Sequence, residues 1–163
     1  RKKEFYFHLY NCIAVMSNCR ISINCYIKYI RMKYDIASRK DIEILVNEFY
    51  SKIKKDEQIG FIFSDIAMVN WEKHLPIMYD FFENMLFYTG SYTGNPMELH
   101  KHVNRLLPLT EIHFRQWNHL FSTTVDELFE GTTANLVKQR AKSIAAVMQN
   151  KILKESSSAD RIF

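Results

Sequence analysis

Hydrophobic residues recur with a helical period through most of the chain after residue 38. The first stripe runs from Ile42 to Ile53 at intervals of three and four residues, which is typical of one buried face of an α-helix. Similar stripes lie within residues 71–86, 117–128 and 137–152, and a shorter helix is expected over 97–107. Residues 90–96 contain two glycines and a proline, so they are expected to form a loop. The pattern therefore predicts an all-α fold.

Polar residues at the starts of these stripes predict where the helices begin. Ser38 followed by Asp41 matches a short capping box, and Asn70 and Thr110 are candidate caps for later helices. Pro76 lies past the first turn of its predicted helix, so a kink is expected there.

Composition narrows the fold class further. The 163 residues include only 4 Gly and 3 Pro, too few for the many turns of an all-β sandwich or barrel. No apolar run reaches the roughly 18 residues of a membrane span. A single helical domain, without a membrane partner, is the remaining class.

The first 33 residues differ from the rest of the chain. They hold seven of the 22 basic residues and one of the 18 acidic residues, which leaves 15 basic and 17 acidic residues elsewhere. All three cysteines also lie there. We expect residues 1–33 to be an N-terminal extension outside the domain, 34–153 to form the domain, and 154–163 to be a polar disordered tail. A natural start near Met32 is expected, because the sequence that follows it has ordinary globular character. A cytoplasmic location is also expected, since the chain after residue 33 has no cysteine.

The net charge of +4 invites a nucleic-acid-binding interpretation. Because the excess of basic residues belongs to residues 1–33, the predicted domain is slightly acidic. No stripe of Lys and Arg follows one predicted helix. We therefore expect no nucleic-acid partner.

Four polar or amphipathic residues lie on apolar faces of the predicted helices: Tyr50, His74, His100 and Trp117. Each alone is compatible with ordinary packing. Together they suit a helical domain that encloses a haem, which needs an imidazole on one side and hydrogen-bond donors on the other. Periodicity alone does not show that the four side chains converge.

Seven segments, in this order and spacing, resemble the truncated two-on-two haemoglobins of bacteria, specifically group III. They are FYSKIKKD (49–56), IGFIF (59–63), WEKHLPIMYDFFENML (71–86), YTGNPMELHKH (92–102), PLTEIHFRQW (108–117), LFSTTVDELFEG (120–131) and QRAKSIAAVMQNKI (139–152). The resemblance covers about three quarters of the chain. It implies a globin-like, truncated two-on-two helical sandwich around a haem.

The resemblance also implies residue roles. His100 matches the proximal ligand of the haem iron. Tyr50 matches the main distal hydrogen-bond donor, and Trp117 matches the distal tryptophan. His74 occupies the distal gate position, where its imidazole would swing to admit a ligand.

The resemblance further places Met78, Phe81 and Phe82 in the haem pocket, and Phe63 is added as a candidate wall residue. Two positions depart from the family pattern. The family often has Trp where Phe82 stands, and an apolar residue where Asn118 stands. Neither departure removes a proposed ligand or donor.

His102 is a rival proximal ligand. Two residues apart on a helix lie on roughly opposite faces, so His100 and His102 cannot both reach one iron. Hydrophobic periodicity does not decide between them, whereas the eight-residue spacing from Tyr92 favours His100. Lys101 and Arg105 are candidates to pair with the haem propionates.

The implied function is binding of O₂, and also of NO or CO, for carriage or scavenging. Haem enzyme chemistry, either NO dioxygenation or peroxidase-like turnover, would use the same residues with a separate reductase as partner. A cofactor-free helical interaction module is the third reading. The sequence leaves these alternatives open.

Overall fold

A computed structural model describes residues 33–159. Within that range the chain forms five α-helices and one short π-helix, which confirms the all-α prediction. They are α1 (Arg39–Ile53), π1 (Ile62–Ile66), α2 (Trp71–Phe87), α3 (Pro96–Leu106), α4 (Glu111–Leu128) and α5 (Thr132–Ala159).

The helices are arranged as two packed pairs with α3 outside them. Helix α1 packs against α2, and α4 packs against α5. Contacts of α1 with α4 and of α2 with α5 join the two pairs, whereas α3 makes its main helix contact with α5. This is the two-on-two arrangement expected from the sequence.

The hydrophobic core follows the predicted stripes. Every member of the α1 stripe is buried: Ile42, Leu45, Val46, Phe49, Tyr50 and Ile53. Phe82 of α2, Phe121 of α4 and Val137 of α5 complete the centre, each at most 1% exposed. Full burial of one such side chain stabilises a fold by about 1.5–3 kcal/mol.

The helix starts agree with the sequence in place and differ in detail. The side chain of Asn70 accepts from the Lys73 N–H at 3.2 Å, as predicted. At α1 the acceptor is Asp41, which receives the Ser38 hydroxyl at 2.8 Å and the Ala37 N–H at 3.1 Å. Ser38 is the N-cap by position, but its side chain accepts no cap hydrogen bond.

Two other local features concern Pro76 and the segment after α1. Helix α2 continues through Pro76 from Trp71 to Phe87. The segment after α1 leads into π1, which begins at Ile62. Gly60 lies just before it, where a Cβ atom would stand 2.8 Å from the Ile53 carbonyl oxygen, so the close approach of these two segments requires glycine.

The start of the compact unit at Tyr34 is tied to its C-terminal half. Tyr34 forms a parallel bridge with Phe129. The Asp35 carboxylate accepts the N–H groups of Thr133 at 2.9 Å and Ala134 at 2.8 Å. It therefore caps the N-terminus of α5.

The C-terminal end differs from the expectation. Helix α5 continues through Ala159, where a polar disordered tail was predicted from residue 154. No glycine or proline interrupts residues 132–159. Extending an existing helix by one residue costs little free energy.

Residues 160–163 lie outside the described range, as do residues 1–32 of the predicted extension. No helix in the described range has both the length and the apolar character needed to cross a membrane.

Candidate functional site

Tyr50 and His74 form a hydrogen-bonded pair between α1 and α2. The Tyr50 Oη and His74 Nε2 atoms are 3.1 Å apart, and Tyr50 is only 3% exposed. Burial raises the pKa of Tyr50 well above its ordinary value, so its hydroxyl stays protonated. Burial, and secondarily the charge of His100, lowers the pKa of His74. The imidazole is therefore neutral at pH 7.

The tautomer of His74 determines whether the Tyr50 hydroxyl can donate a hydrogen bond to a ligand. A phenolic hydroxyl has a single proton to donate. If His74 Nε2 carries the hydrogen, it donates to Tyr50 Oη and leaves the phenolic O–H free for a ligand. If Nε2 lacks it, Tyr50 donates to His74, and His74 must move away before Tyr50 can serve a ligand.

Trp117 lies on α4 and is fixed by ring contacts. Its indole is parallel to the Phe121 ring at 5.3 Å between centroids. Phe49 contacts it edge-on at 5.1 Å and also contacts Tyr50 at 4.9 Å. Among residues 33–159 the indole N–H has no hydrogen-bond partner. Trp117 thus provides a rigid donor on the Tyr50 side of the core.

Two further aromatic rings surround the Tyr50–His74 pair. Phe63 lies near the start of the π-helical segment, and its ring centroid is 6.0 Å from that of Tyr50. The Trp71 ring centroid lies 5.5 Å from that of Tyr50 and 5.9 Å from that of His74. The sequence reading placed Trp71 in the helix stripe but not in the site. Its i, i+3 spacing from His74 is the signal that could have found it.

His100 is oriented by its own helix. Its Nδ1 lies 2.7 Å from the Pro96 carbonyl oxygen. Because a carbonyl only accepts, Nδ1 must carry the proton, and the neutral ring keeps its lone pair on Nε2. This contact is the one that commonly orients metal-ligating histidines.

His102 has the opposite arrangement. Its Nδ1 lies 3.5 Å from an Arg105 guanidinium nitrogen, which only donates. The neutral His102 ring then carries its proton on Nε2. The ring chemistry therefore favours His100 over His102 as a ligand through Nε2.

His100 interacts electrostatically with His74. The charge of His100 contributes to the lowered pKa of His74, although the two belong to different helices. Met97 and Val103 of α3, and Leu107 at its C-cap, share the His100 face and are only partly buried against the core. No side chain of α3 is buried. The apolar face of α3 is therefore not fully covered by protein.

The proposed pocket residues of α2 differ in exposure. Met78 and Phe81 are half-buried, and Phe81 meets Tyr92 edge-on at 5.1 Å. Phe82 is completely buried and stacks on Phe121 at 5.0 Å. Phe82 therefore belongs to the core in this structure, while Met78 and Phe81 retain exposed surface.

Three other polar residues have local partners. Asn118 donates to the Phe114 carbonyl at 3.1 Å on its own helix, so this departure from the family pattern is satisfied without involving Trp117. His113 accepts the Thr110 N–H at 3.2 Å and caps α4. Lys101 forms an ion pair with Glu98 on α3.

Comparisons with known proteins agree with this architecture. The family model described as bacterial-like globin matches residues 34–152. Group 3 truncated hemoglobin ctb of Campylobacter jejuni is 30% identical over 126 residues, which cover 76% of this chain and 97% of that protein. The crystal structure of group III truncated hemoglobin from Campylobacter jejuni superimposes with a TM-score of 0.65 at 30% identity. It covers 74% of this chain and 95% of that one.

The match thus begins at Tyr34, where the compact unit begins, and includes all four helices that carry Tyr50, His74, His100 and Trp117. A family model spanning most of the chain, a relative at 30% identity and a shared fold point to one assignment. The chain belongs to the bacterial-like globin family and is a homologue of the group III truncated haemoglobins.

Proposed function

We propose that this protein binds haem through His100 and binds a diatomic ligand, principally O₂, on the side of Tyr50, His74 and Trp117. The observation that carries the proposal is the 2.7 Å contact of His100 Nδ1 with the Pro96 carbonyl. That contact leaves Nε2 as a lone-pair donor. Family membership and the name of the Campylobacter jejuni relative support the same function.

The residues present fit a haem group. An imidazole lone pair, an incompletely covered apolar helix face and buried neutral donors are what a haem pocket needs. His100 would hold the haem iron through Nε2, and the bound haem would supply the iron chemistry that binds a diatomic ligand. Met78 and Phe81 present apolar surface that excludes water, and Phe63 closes the pocket beside Tyr50.

Tyr50 is the principal donor in this proposal. Its raised pKa keeps the O–H protonated, and its burial places the donor where hydrogen bonds are stronger than in water. Trp117 adds a second donor that no described protein group uses. His74 adds a third group, neutral at pH 7, which either leaves Tyr50's proton free or releases it by moving away.

The proposal is tested by expressing the protein with haem supplied and recording its Soret spectrum. We expect a haem-loaded protein whose axial histidine is lost in His100→Ala. His102→Ala is the matched control, because it removes an imidazole from the same helix two residues away. We expect it to leave the spectrum unchanged.

Two results would contradict the proposal. A colourless protein under conditions that load the Campylobacter jejuni relative would exclude haem binding. Loss of the axial ligand in His102→Ala, with a normal His100→Ala spectrum, would move the proximal role to His102.

A further inference from the structure

Trp71 is held by a charged side chain that belongs to no part of the site described above. The Lys54 Nζ atom stands over the Trp71 ring, 4.1 Å from its centroid. Phe63 stacks on the same indole at 6.2 Å and 23°. Lys54 is the C-cap of α1, and Trp71 is the first residue of α2. The contact therefore joins the end of one helix to the start of the next.

Ring contacts are what fix the Trp71 side chain. Among residues 33–159 its indole N–H has no hydrogen-bond partner. The ring is only partly buried, so the core does not enclose it. A cation within about 6 Å of an indole face is attracted by the ring quadrupole. Removing the Lys54 ammonium should therefore loosen the indole without opening the core.

The held indole meets both partners of the Tyr50–His74 hydrogen bond. It is tilted against the Tyr50 ring at 58° and stands edge-on to the His74 imidazole at 85°. Because Trp71 and His74 are three residues apart on α2, their side chains occupy the same helix face. An imidazole that leaves Tyr50 must change its contact with this indole.

From this geometry we propose that Trp71, clamped by Lys54, is a positioning residue that keeps the His74 imidazole against Tyr50. By doing so it limits the rate at which diatomic ligands enter. The inference rests on the proposed function, because it concerns the gate of the same pocket. The proposal also implies that the charge of Lys54, an exposed side chain, sets how readily His74 separates from Tyr50.

The first measurement concerns the haem-free protein. In its proton NMR spectrum the Lys54 methylene signals nearest the ammonium should be shifted upfield by the Trp71 ring current. Trp71→Leu should return them to ordinary values. Unshifted Lys54 signals in the otherwise folded protein would show that Lys54 does not lie over Trp71, and this conclusion would hold whether or not the protein binds haem.

The second measurement is the CO association rate after flash photolysis of the haem-loaded protein. Lys54→Met keeps the aliphatic stem and removes the charge, so we expect association to accelerate about 2- to 5-fold. Lys54→Arg retains a cation and should restore the original rate. Lys55→Met is the matched control, because it removes one exposed lysine charge next in sequence that contacts no ring among the described residues.

The positioning role has outcomes separate from those of haem binding. Trp71→Phe keeps an aromatic ring and should behave between the original protein and Trp71→Leu, which should associate fastest. Equal association rates for Lys54→Met, Lys55→Met and the original protein, with equal Soret spectra, would overturn the gate control and leave haem binding intact. An absent Soret band in the original protein would instead overturn the proposed function, while the NMR shift still reports the clamp.

Discussion

Replacing Tyr50 by Phe tests the distal site most directly. The substitution removes one hydroxyl from a side chain that is 3% exposed and leaves the ring contacts with Phe49, Phe63 and Trp71 in place. The hydroxyl has one described partner, His74 Nε2 at 3.1 Å. The change therefore removes a hydrogen-bond donor while conserving the packing of the pocket.

The size of the effect follows from burial. Loss of one buried donor costs about 1–3 kcal/mol, which corresponds to roughly 5- to 150-fold in affinity. The lower limit applies if Trp117 partly replaces Tyr50, and the upper limit applies if the ligand is left without a donor in a dry pocket. We expect the loss to appear as a faster O₂ dissociation rate, because the broken contact exists only in the bound state.

The assay is stopped-flow displacement of O₂ by CO. Tyr79→Phe is the matched control, since the Tyr79 hydroxyl donates to Asn47 Oδ1 at 2.7 Å on an exposed surface. It should leave the rate unchanged. An O₂ dissociation rate in Tyr50→Phe equal to that of the control would refute the reasoning and transfer the donor role to another group.

Three further predictions concern Trp117, Asp35 and Gly131. Trp117→Phe keeps the stack on Phe121 and removes the free indole N–H, so O₂ dissociation should also accelerate by about 5- to 150-fold; an unchanged rate would exclude this donor. Partial burial alone would raise the pKa of the Asp35 carboxyl, but three backbone N–H groups lower it below 3.8. Its capping contribution should be complete at pH 7 and disappear as pH falls below about 4.

In urea unfolding, Asp35→Asn should therefore cost about 0.5–2 kcal/mol at pH 7 and much less near pH 3; a difference that grows as pH falls would contradict this sign. Gly131 has φ +152°, and a Cβ there would lie 2.3 Å from the Asp35 Cγ. Gly131→Ala should destabilise the fold by more than the roughly 1 kcal/mol expected from backbone strain alone. Gly90→Ala is the control, because Gly90 has positive φ but no neighbour within 4 Å; equal losses would show that the Asp35 contact is unimportant.

The sequence predicted well the features that depend on the spacing and chemistry of neighbouring residues. The α1 stripe predicted a buried helix face, and Asn70 before a helical stripe predicted a cap; the structure has both. The sequence could not predict features that depend on which neighbouring side chains a residue contacts in the fold. The resemblance implies a pocket role for Phe82, whereas the sequence did not indicate that its ring stacks on Phe121. Trp71 reads as ordinary packing, yet it contacts both members of the distal pair.

The two histidines of α3 also could not be distinguished from the sequence pattern. Both lie among apolar residues, so periodicity assigns either of them to an inward face. Their difference lies in which ring nitrogen is already engaged: the Pro96 carbonyl takes the proton of His100 Nδ1, while Arg105 faces His102 Nδ1. A hydrophobic pattern does not show which nitrogen of an imidazole carries the proton. For His100, the position of the Pro96 carbonyl shows this.

The two sides of the site also differ in what supports them. Tyr50 and Trp117 are attached to helices that pack into the core, and their rings are fixed by Phe49 and Phe121. His100 lies on α3, which has no buried side chain. Tyr50 and Trp117 are therefore preorganised by the fold itself, so in the proposed function their hydrogen bonds to a ligand would require little ordering. Helix α3 has an incompletely covered apolar face, and in the proposed function the haem that His100 would hold completes the burial of that face.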